Sequence, residues 1–516
     1  MKKYSFMMAA AALLAVVGCE KSPVENGTQE GGEKVYMGFK IANVMTKSET
    51  ENDGTSDADP DFEVGFDAEN TVQQIDMILT DKKVSIAAKN ITAVEAQDGE
   101  NGRVFVATFE TSDLEEGATY DVFIYANGSM PTAFNVDNVY TFSENFEGNV
   151  SENIAASNHF LMTSTGTNNK VTITNLKSHT TPANRLDLGT FDVERAAVRF
   201  DYQTVNNNVY SIKDGEKVTA KITLTQMGLV NESKSFYDFK RVSPDNVPSS
   251  VTVGGIETKN NYVVDADWTS KKAGSADMYY PFNNSDERDY AWTAIPKTGD
   301  DNYVPGEYKV WKYATENTIP GKDEQKKGVT TAVAFKGEIS PADDAPQALK
   351  EVFEAGTAPI YVFSNVLYGT WDMVKAAAEN TTTPNYTLRQ AYDKVEAART
   401  QEGFNEVTAL ADAGFKRFSP KDGKYLTTYY YWNRHNDNKD NANMGIMEFA
   451  TVRNNVYKLS VTNINLFGHP YQDDPENPDP DPDPETPDQP DESVNYYFTV
   501  SVKVLPWTVR INNIEF

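Results

Sequence analysis

The chain has 516 residues, a formal net charge of -29, one cysteine and four histidines. Such an acidic surface repels nucleic acid and anionic lipid, so binding to either is excluded as a leading function. The single cysteine excludes a disulfide scaffold and a cysteine-based zinc site, and four histidines leave little for a catalytic dyad. The length fits a targeting leader and two domains of about 150–250 residues. The 27 tyrosines and 26 phenylalanines favour β-strands.

The N-terminus reads as an export signal. Two lysines follow Met1, residues 6–17 are apolar, and small residues precede Cys19. This run is too short for a permanent transmembrane helix. It resembles the lipobox of bacterial lipoproteins, so residues 1–19 are interpreted as a signal peptide and Cys19 as the lipidated residue that anchors the chain to the outer membrane. The alternative is an ordinary secretory leader with an incidental cysteine.

Residues 20–47 are predicted to form a propeptide that contains a tether and one strand. Glycine, proline and asparagine make its first part flexible. Val35, Met37, Phe39 and Ile41 then alternate with less apolar residues, as in a half-buried strand. After Lys47 comes an acidic, glycine- and serine-rich stretch, which predicts an exposed loop of the kind that proteases cut.

Apolar runs between turn residues continue along the chain at a spacing typical of β-sandwiches. They predict one β-sandwich domain over residues 48–190 and a second over residues 191–516. Helical spacing predicts a helical insertion in the second domain at about residues 340–415. Pro-Asp repeats make residues 474–490 an extended acidic loop. Proline at every second position keeps the carboxylates from wrapping one calcium ion, so no metal site is predicted.

The C-terminal segment, residues 506–516, is unusually apolar. Up to Val504 the apolar residues stand at even-numbered positions. After Pro506 they stand at odd-numbered positions, namely Trp507, Val509 and Ile511. This change predicts a bulge or a break between two strands at Pro506. A segment this apolar should not be left exposed to water, so we expect it to pair with another strand.

Several stretches in order resemble the fimbrillins of type V pili, in particular the Mfa-type major subunits. They are residues 191–199, 229–242, 313–318, 328–336, 447–459 and 505–509. The resemblance implies two transthyretin-like β-sandwich domains in tandem, lipoprotein export, proteolytic removal of an N-terminal segment, and polymerisation into a cell-surface fimbria that supports adhesion. It also implies accessory fimbrial subunits and a maturation protease as partners, no cofactor and no enzymatic activity.

The residues suggest how such polymerisation would work. Val35, Met37, Phe39 and Ile41, as an edge strand, would plug a groove that cleavage between Lys47 and Ser48 opens. A neighbour's donor strand would then enter in either direction and build a head-to-tail filament of identical copies. Its apolar residues are Trp507, Val509, Ile511, Ile514 and Phe516.

Lys47 departs from the family pattern, since fimbrillins are typically cut after arginine. This chain has no arginine between Met1 and Lys47. A different basic-residue protease is therefore implied, or cleavage does not happen and Lys47 is only a solvated loop residue.

Two other functions stay open at this stage. The aromatic residues 429–432, followed by Arg434 and His435, could stack on sugar rings of a glycan bound by a monomeric surface lipoprotein. The alternative to glycan binding is a structural role, in which these rings pack inside the fold. The chain could also be an accessory tip or anchor subunit of the same pilus. The sequence contains no nucleophile elbow, no zinc-ligand pair on a predicted helix and no phosphate-binding glycine loop, so an enzyme is the least favoured class.

Overall fold

The computed structural model describes residues 33–43, 63–81, 84–94, 103–131, 133–142, 153–165, 169–244, 250–255, 261–268, 277–282, 290–301, 303–319, 329–436, 445–471 and 498–508. Strands dominate this part of the chain, so the predicted all-β class is confirmed. The tandem transthyretin-like arrangement stays a prediction. Among these residues, no helix has the length and apolarity needed to cross a bilayer.

The N-terminal strands are β1 (Lys34–Asn43), β2 (Glu63–Val64), β3 (Ile75–Thr80), β4 (Ser85–Ile91), β5 (Ala93–Val94), β6 (Val104–Glu110), β7 (Thr119–Ala126), β8 (Val139–Thr141), β9 (Ala155–Ala156), β10 (His159–Phe160), β11 (Met162–Ser164), β12 (Lys170–Thr172) and β13 (Leu186–Arg195). A short helix, α1 (Asp67–Asn70), follows β2. Most of these strands form one sheet in the order β4-β3-β7-β11-β13-β1-β6-β5, with β12 beside β7.

The next strands are β14 (Val198–Tyr202), β15 (Val209–Asp214), β16 (Lys217–Val230), β17 (Glu232–Ser233), β18 (Ser235–Tyr237), β19 (Arg241–Ser243), β20 (Thr252–Val253), β21 (Tyr262–Val263), β22 (Met278–Tyr279), β23 (Thr293–Ala294), β24 (Lys309–Ala314), β25 (Ala332–Pro341), β26 (Ile360–Phe363), β27 (Val366–Tyr368), β28 (Lys416–Phe418), β29 (Pro420–Lys421), β30 (Lys424–Trp432), β31 (Asn455–Ile464), β32 (His469–Pro470) and β33 (Phe498–Thr508). They form two larger sheets, β2-β33-β31-β14-β24 and β15-β16-β25-β30-β29, and several short ones.

The change from the first sheet to the second lies between Arg195 and Val198, and the division of the chain into two domains stays a prediction. Residue 190 falls inside β13, which belongs to the first sheet, whereas β14 belongs to the second. Ala196 and Ala197 between them are fully buried in the first core. Strands of the two parts also pair with each other: β2 of the first part pairs with β33, and β8 of the first part pairs with β18.

The helices of the second part lie within the predicted range 340–415. They are α2 (Gln347–Ala355), α3 (Trp371–Ala378), α4 (Tyr386–Arg399) and α5 (Glu406–Asp412). Three of them begin after a capping side chain, since Thr370, Asn385 and Asn405 each accept a hydrogen bond from the backbone N–H three residues later. A separate small core holds α3, α4 and α5 together, whereas α2 packs through Leu349 against the core of the second part.

The C-terminal strand differs from the prediction of a bulge or break at Pro506. β33 runs without interruption through Pro506, which pairs with Asn455 of β31, and the register shift lies on β31 between Val461 and Asn463. In an antiparallel pair every second residue points its backbone groups away from the partner, so a proline at such a position costs no ladder hydrogen bond. The predicted donor segment therefore begins inside an existing strand.

A buried carboxyl group gives a stability prediction. Glu232 is fully buried, and the Nζ of Lys312 lies 3.6 Å from its carboxylate. Burial raises the pKa of Glu232 to about 7, although Lys312 partly opposes this shift. The folded state thus binds the proton more tightly than the unfolded state, so the stability from this group is full below about pH 4.5 and is lost as the pH rises through about 7.

We therefore expect Glu232→Gln to stabilise the protein at pH 8 by about 3 kcal/mol relative to wild type, and to have little effect at pH 5. Urea unfolding at the two pH values measures the difference. An equal change in the free energy of unfolding at both pH values would contradict a raised pKa of Glu232 in the folded protein.

Candidate functional site

The predicted plug strand is β1, and the structure places it inside the first sheet rather than at its edge. β1 pairs in parallel with β13 over residues 37–43 and antiparallel with β6 over residues 34–39. The alternation in the sequence defines the two faces of β1 and says nothing about its neighbours, which is why the expected edge position was wrong. Both of the strands that flank β1 come from residues beyond the predicted cleavage site.

The inward face of β1 fills the first core. Val35 and Met37 are fully buried, and Phe39 and Ile41 are 1% and 5% exposed. The ring of Phe39 lies 5.8 Å from that of Phe105 and 6.0 Å from that of Phe191. Burying four such side chains contributes about 6–12 kcal/mol. A chain without β1 would leave four apolar pockets and two rows of unpaired backbone groups.

The outward face of β1 is partly covered by the connection between β12 and β13. The backbone N–H of Tyr36 donates a hydrogen bond to the carbonyl of His179 at 2.9 Å. Gly38 lies against Arg185, whose guanidinium donates to the carbonyl of Pro182. A strand that takes the place of β1 must therefore fit beneath this connection.

Several predicted site residues fall outside the described part of the chain. These are Cys19, Lys47, Ser48, Val509, Ile511, Ile514 and Phe516, and their lipidation, cleavage and donor roles stay predictions. Described residues approach them on both sides: β1 ends at Asn43, β2 begins at Glu63, and β33 ends at Thr508.

Trp507 of the predicted donor segment lies in β33. It pairs with Glu63 of β2, and Thr508 pairs with Val64, in a parallel arrangement. The first described residues after the predicted cleavage site therefore lie beside the last described residues of the chain. The sequence offered no signal for this contact, because β2 is only two residues long.

An ion cluster holds β2 and α1 against the second sheet. Glu63 accepts a hydrogen bond from Lys458 at 2.8 Å and lies 3.4 Å from Arg199. Arg199 also contacts Glu69 at 3.2 Å and Asp201 at 2.7 Å, and these three side chains are at most 2% exposed. Burial raises the pKa of Asp201, and the hydrogen bond from Arg199 opposes this shift.

Sequence reasoning missed this cluster. Arg199 and Asp201 stand two residues apart on a strand, which predicts a polar, exposed face. Glu69 joins them from a helix 130 residues earlier in the chain. Charged residues are almost never fully buried without such partners.

The aromatic residues near the end of β30 are packed inside the protein. Tyr429 is 1% exposed, and its hydroxyl donates to the carbonyl of Leu466. Trp432 is 8% exposed and meets Phe282 edge-to-face at 5.0 Å. His435 is buried, with Nδ1 2.9 Å from the hydroxyl of Tyr457. Tyr430 and Tyr431 are half-buried beside them.

The described residues contain no group of three or more histidine, cysteine, aspartate or glutamate side chains arranged to hold a metal ion.

Comparison with solved structures gives distant likenesses. Fimbrilin FimA of Porphyromonas gingivalis is 14% identical, with 92% of this chain and 98% of that chain covered at a TM-score of 0.36. The C-terminally truncated tip fimbrial protein Mfa3 of the same organism is 8% identical, with 92% and 100% covered at a TM-score of 0.31. A fimbrial assembly protein of Parabacteroides distasonis is 11% identical, with 61% and 97% covered at a TM-score of 0.21. With TM-scores this low, these likenesses carry no argument about function.

No curated protein sequence matches the chain. A family model does match: it describes the C-terminal region of fimbrillin, the major fimbrial subunit protein type IV, and covers residues 424–513. The matched region includes β30, β31 and β33. The predicted resemblance is thus confirmed over residues 424–513, which match the model of the C-terminal region of fimbrillin.

Proposed function

We propose that the chain is a non-enzymatic structural subunit of a cell-surface fimbria, and that its copies polymerise by strand exchange. In this proposal the chain is exported as a lipoprotein through Cys19 and is cut between Lys47 and Ser48. The propeptide then leaves together with β1. The donor segment of a neighbouring copy, Trp507 to Phe516, takes the empty place, and the filament supports adhesion.

One observation carries this proposal. β1 is an interior strand, yet it belongs to a segment whose covalent link to the remaining sheet is the predicted cleavage loop. Interior strands normally cannot be removed, because both neighbours lose their ladder partners. A fold that puts a detachable segment in such a position is suited to receiving a replacement strand.

Cleavage acts as the trigger because it removes a competitor. While it is tethered, β1 competes for its own groove at an effective concentration of about millimolar or higher. A neighbour's segment at ordinary protein concentrations cannot match this, so the uncut precursor stays monomeric. The resulting contact is head-to-tail and does not close, so it yields a filament.

The test is limited digestion of a soluble precursor that starts after Cys19, with a lysine-specific protease. The new N-terminus is sequenced, and the product is run unboiled on a denaturing gel and imaged by electron microscopy. We expect cleavage after Lys47, a heat-labile ladder and filaments. A product that is cut after Lys47, has lost residues 20–47 and remains monomeric would overturn the proposal.

A further inference from the structure

The apolar positions of β1 and of its neighbour β13 do not have the same spacing. On β1 they recur at every second residue: Val35, Met37, Phe39 and Ile41. On β13 the core-facing positions step by two, three and two: Leu186, Leu188, Phe191 and Val193. A strand with the spacing of β1 cannot follow β13 residue by residue.

The mismatch appears as a bulge in the pairing of the two strands. Gly38 pairs with Asp187, but Lys40 pairs with Thr190, so β13 has one more residue than β1 between these pairs. Gly189 in this bulge has a φ of +78°, and its N–H donates to the Asp187 carboxylate at 2.9 Å. The groove is therefore built with an extra residue that the plug strand lacks.

The predicted donor segment has an extra residue at the same place in its apolar pattern as β13 has. Its apolar positions after Trp507 step by two, three and two: Val509, Ile511, Ile514 and Phe516. Asn512 and Asn513 stand between the two pairs, as Gly189 and Thr190 do on β13. The C-terminal segment thus has the periodicity of the groove, and β1 does not.

We infer that the donor segment enters the groove in the direction of β1 and in one register. This inference rests on the proposed function and specifies its contact. Trp507 takes the place of Val35, and Ile511 takes the place of Phe39 opposite Leu188. Ile514 and Phe516 follow opposite Phe191 and Val193, so the donor pairs with β13 without a register shift.

The other side of the groove accepts the same register. The pairs of β1 with β6 end at Phe39, which lies opposite Phe105. The extra donor residue comes after Ile511 and therefore beyond the last of these pairs. In the reverse direction, matching the three-residue step would place Phe516 opposite Leu186. The apolar residues of the donor segment would then fill three of the four β1 pockets, whereas in the forward direction they fill all four.

This register requires two local movements. Trp507 and Thr508 must leave their pairs with Glu63 and Val64 of β2. Arg510 takes the place of Gly38, where a Cβ atom would lie 2.5 Å from Cδ of Arg185. Arg185 is a long, half-buried side chain that can swing outward, so the second movement is a rotamer change.

A cysteine pair tests the register in the full precursor. Thr108 lies opposite Tyr36 on the exposed face, and the register places Thr508 of a neighbour there. We expect a chain with Thr108→Cys and Thr508→Cys, cut at Lys47 and oxidised, to give a ladder that survives boiling and collapses on reduction. A control with Val106→Cys and Thr508→Cys, offset by two residues, should give only the heat-labile ladder.

The outcomes separate the register from the proposed function. A heat-labile ladder without the Thr108–Thr508 cross-link would overturn the register and leave strand exchange standing. If even the wild-type chain forms no ladder after cleavage, both ideas are wrong.

Peptides test the spacing without altering the protein. Three peptides cover residues 507–516: the natural one, one with Asn513→Ala, and one without Asn513. Each is added during cleavage of wild-type precursor, and the concentration that halves ladder formation is measured. We expect the first two to inhibit alike and the deletion to be about tenfold weaker, because it restores the mismatch with β13. A deletion peptide that inhibits equally well would overturn the spacing argument, and three inactive peptides would also overturn strand exchange.

Discussion

A disulfide that holds β1 in place should stop assembly completely after cleavage, and reduction should start it. Tyr36→Cys and Thr108→Cys supply the pair, because these residues lie opposite each other on β1 and β6. The N–H of Tyr36 points to His179, away from β6. The two residues therefore form a non-hydrogen-bonded pair with Cα atoms about 4.5 Å apart, which suits a disulfide.

The chain is well suited to this experiment, because its one natural cysteine, Cys19, lies in the predicted leader and is absent from the soluble precursor. The double variant is oxidised, cut at Lys47 and followed on an unboiled gel before and after a reductant is added. Each single-cysteine variant serves as a control and should assemble like wild type under both conditions. Assembly of the oxidised double variant at the wild-type rate would show that β1 need not leave.

Loss of the Arg199 guanidinium should destabilise the protein strongly. Arg199→Met leaves the buried carboxylates of Glu69 and Asp201 without their shared cation. Removing one partner from a buried ion pair costs about 3–5 kcal/mol, because the remaining charge stays desolvated. The methionine fills much of the space, so the effect reports on charge rather than on a cavity. Urea unfolding of the uncut precursor measures the loss.

Arg389→Met is the matched control. Arg389 pairs with Asp393 on the surface of α4, and both side chains are about half exposed. Exposed pairs contribute about 0–1 kcal/mol, so this variant should unfold nearly like wild type. Equal and small effects of the two substitutions would mean that water reaches the Arg199 cluster.

The sequence predicts those features of the fold that depend on local periodicity and composition. The alternation in residues 35–41 is enough to identify a strand, because side chains of a strand point alternately to its two faces. The helices after Pro346 follow from their spacing, and the structure adds that Thr370 and Asn385 cap two of them. Tyrosine and phenylalanine usage indicates the all-β class.

Features that depend on pairing over long distances could not be predicted. Met37 pairs with Leu186, and no local pattern indicates that β1 lies between β13 and β6. Likewise, nothing near Trp507 indicates a contact with Glu63, 444 residues earlier in the chain. Pro506 was misread because a proline interrupts a ladder only where its nitrogen faces the partner strand.

The most direct test of strand exchange mixes a chain that can only donate with one that can only accept. The donor carries the oxidised Tyr36–Thr108 cysteine pair, so its groove stays filled. The acceptor ends at Thr508, so it retains all of β33 but lacks Val509 to Phe516. Both are cut at Lys47, mixed in equal amounts and separated by size with their masses measured. Strand exchange predicts a one-to-one complex and nothing longer, whereas two separate monomers, or a ladder, would contradict it.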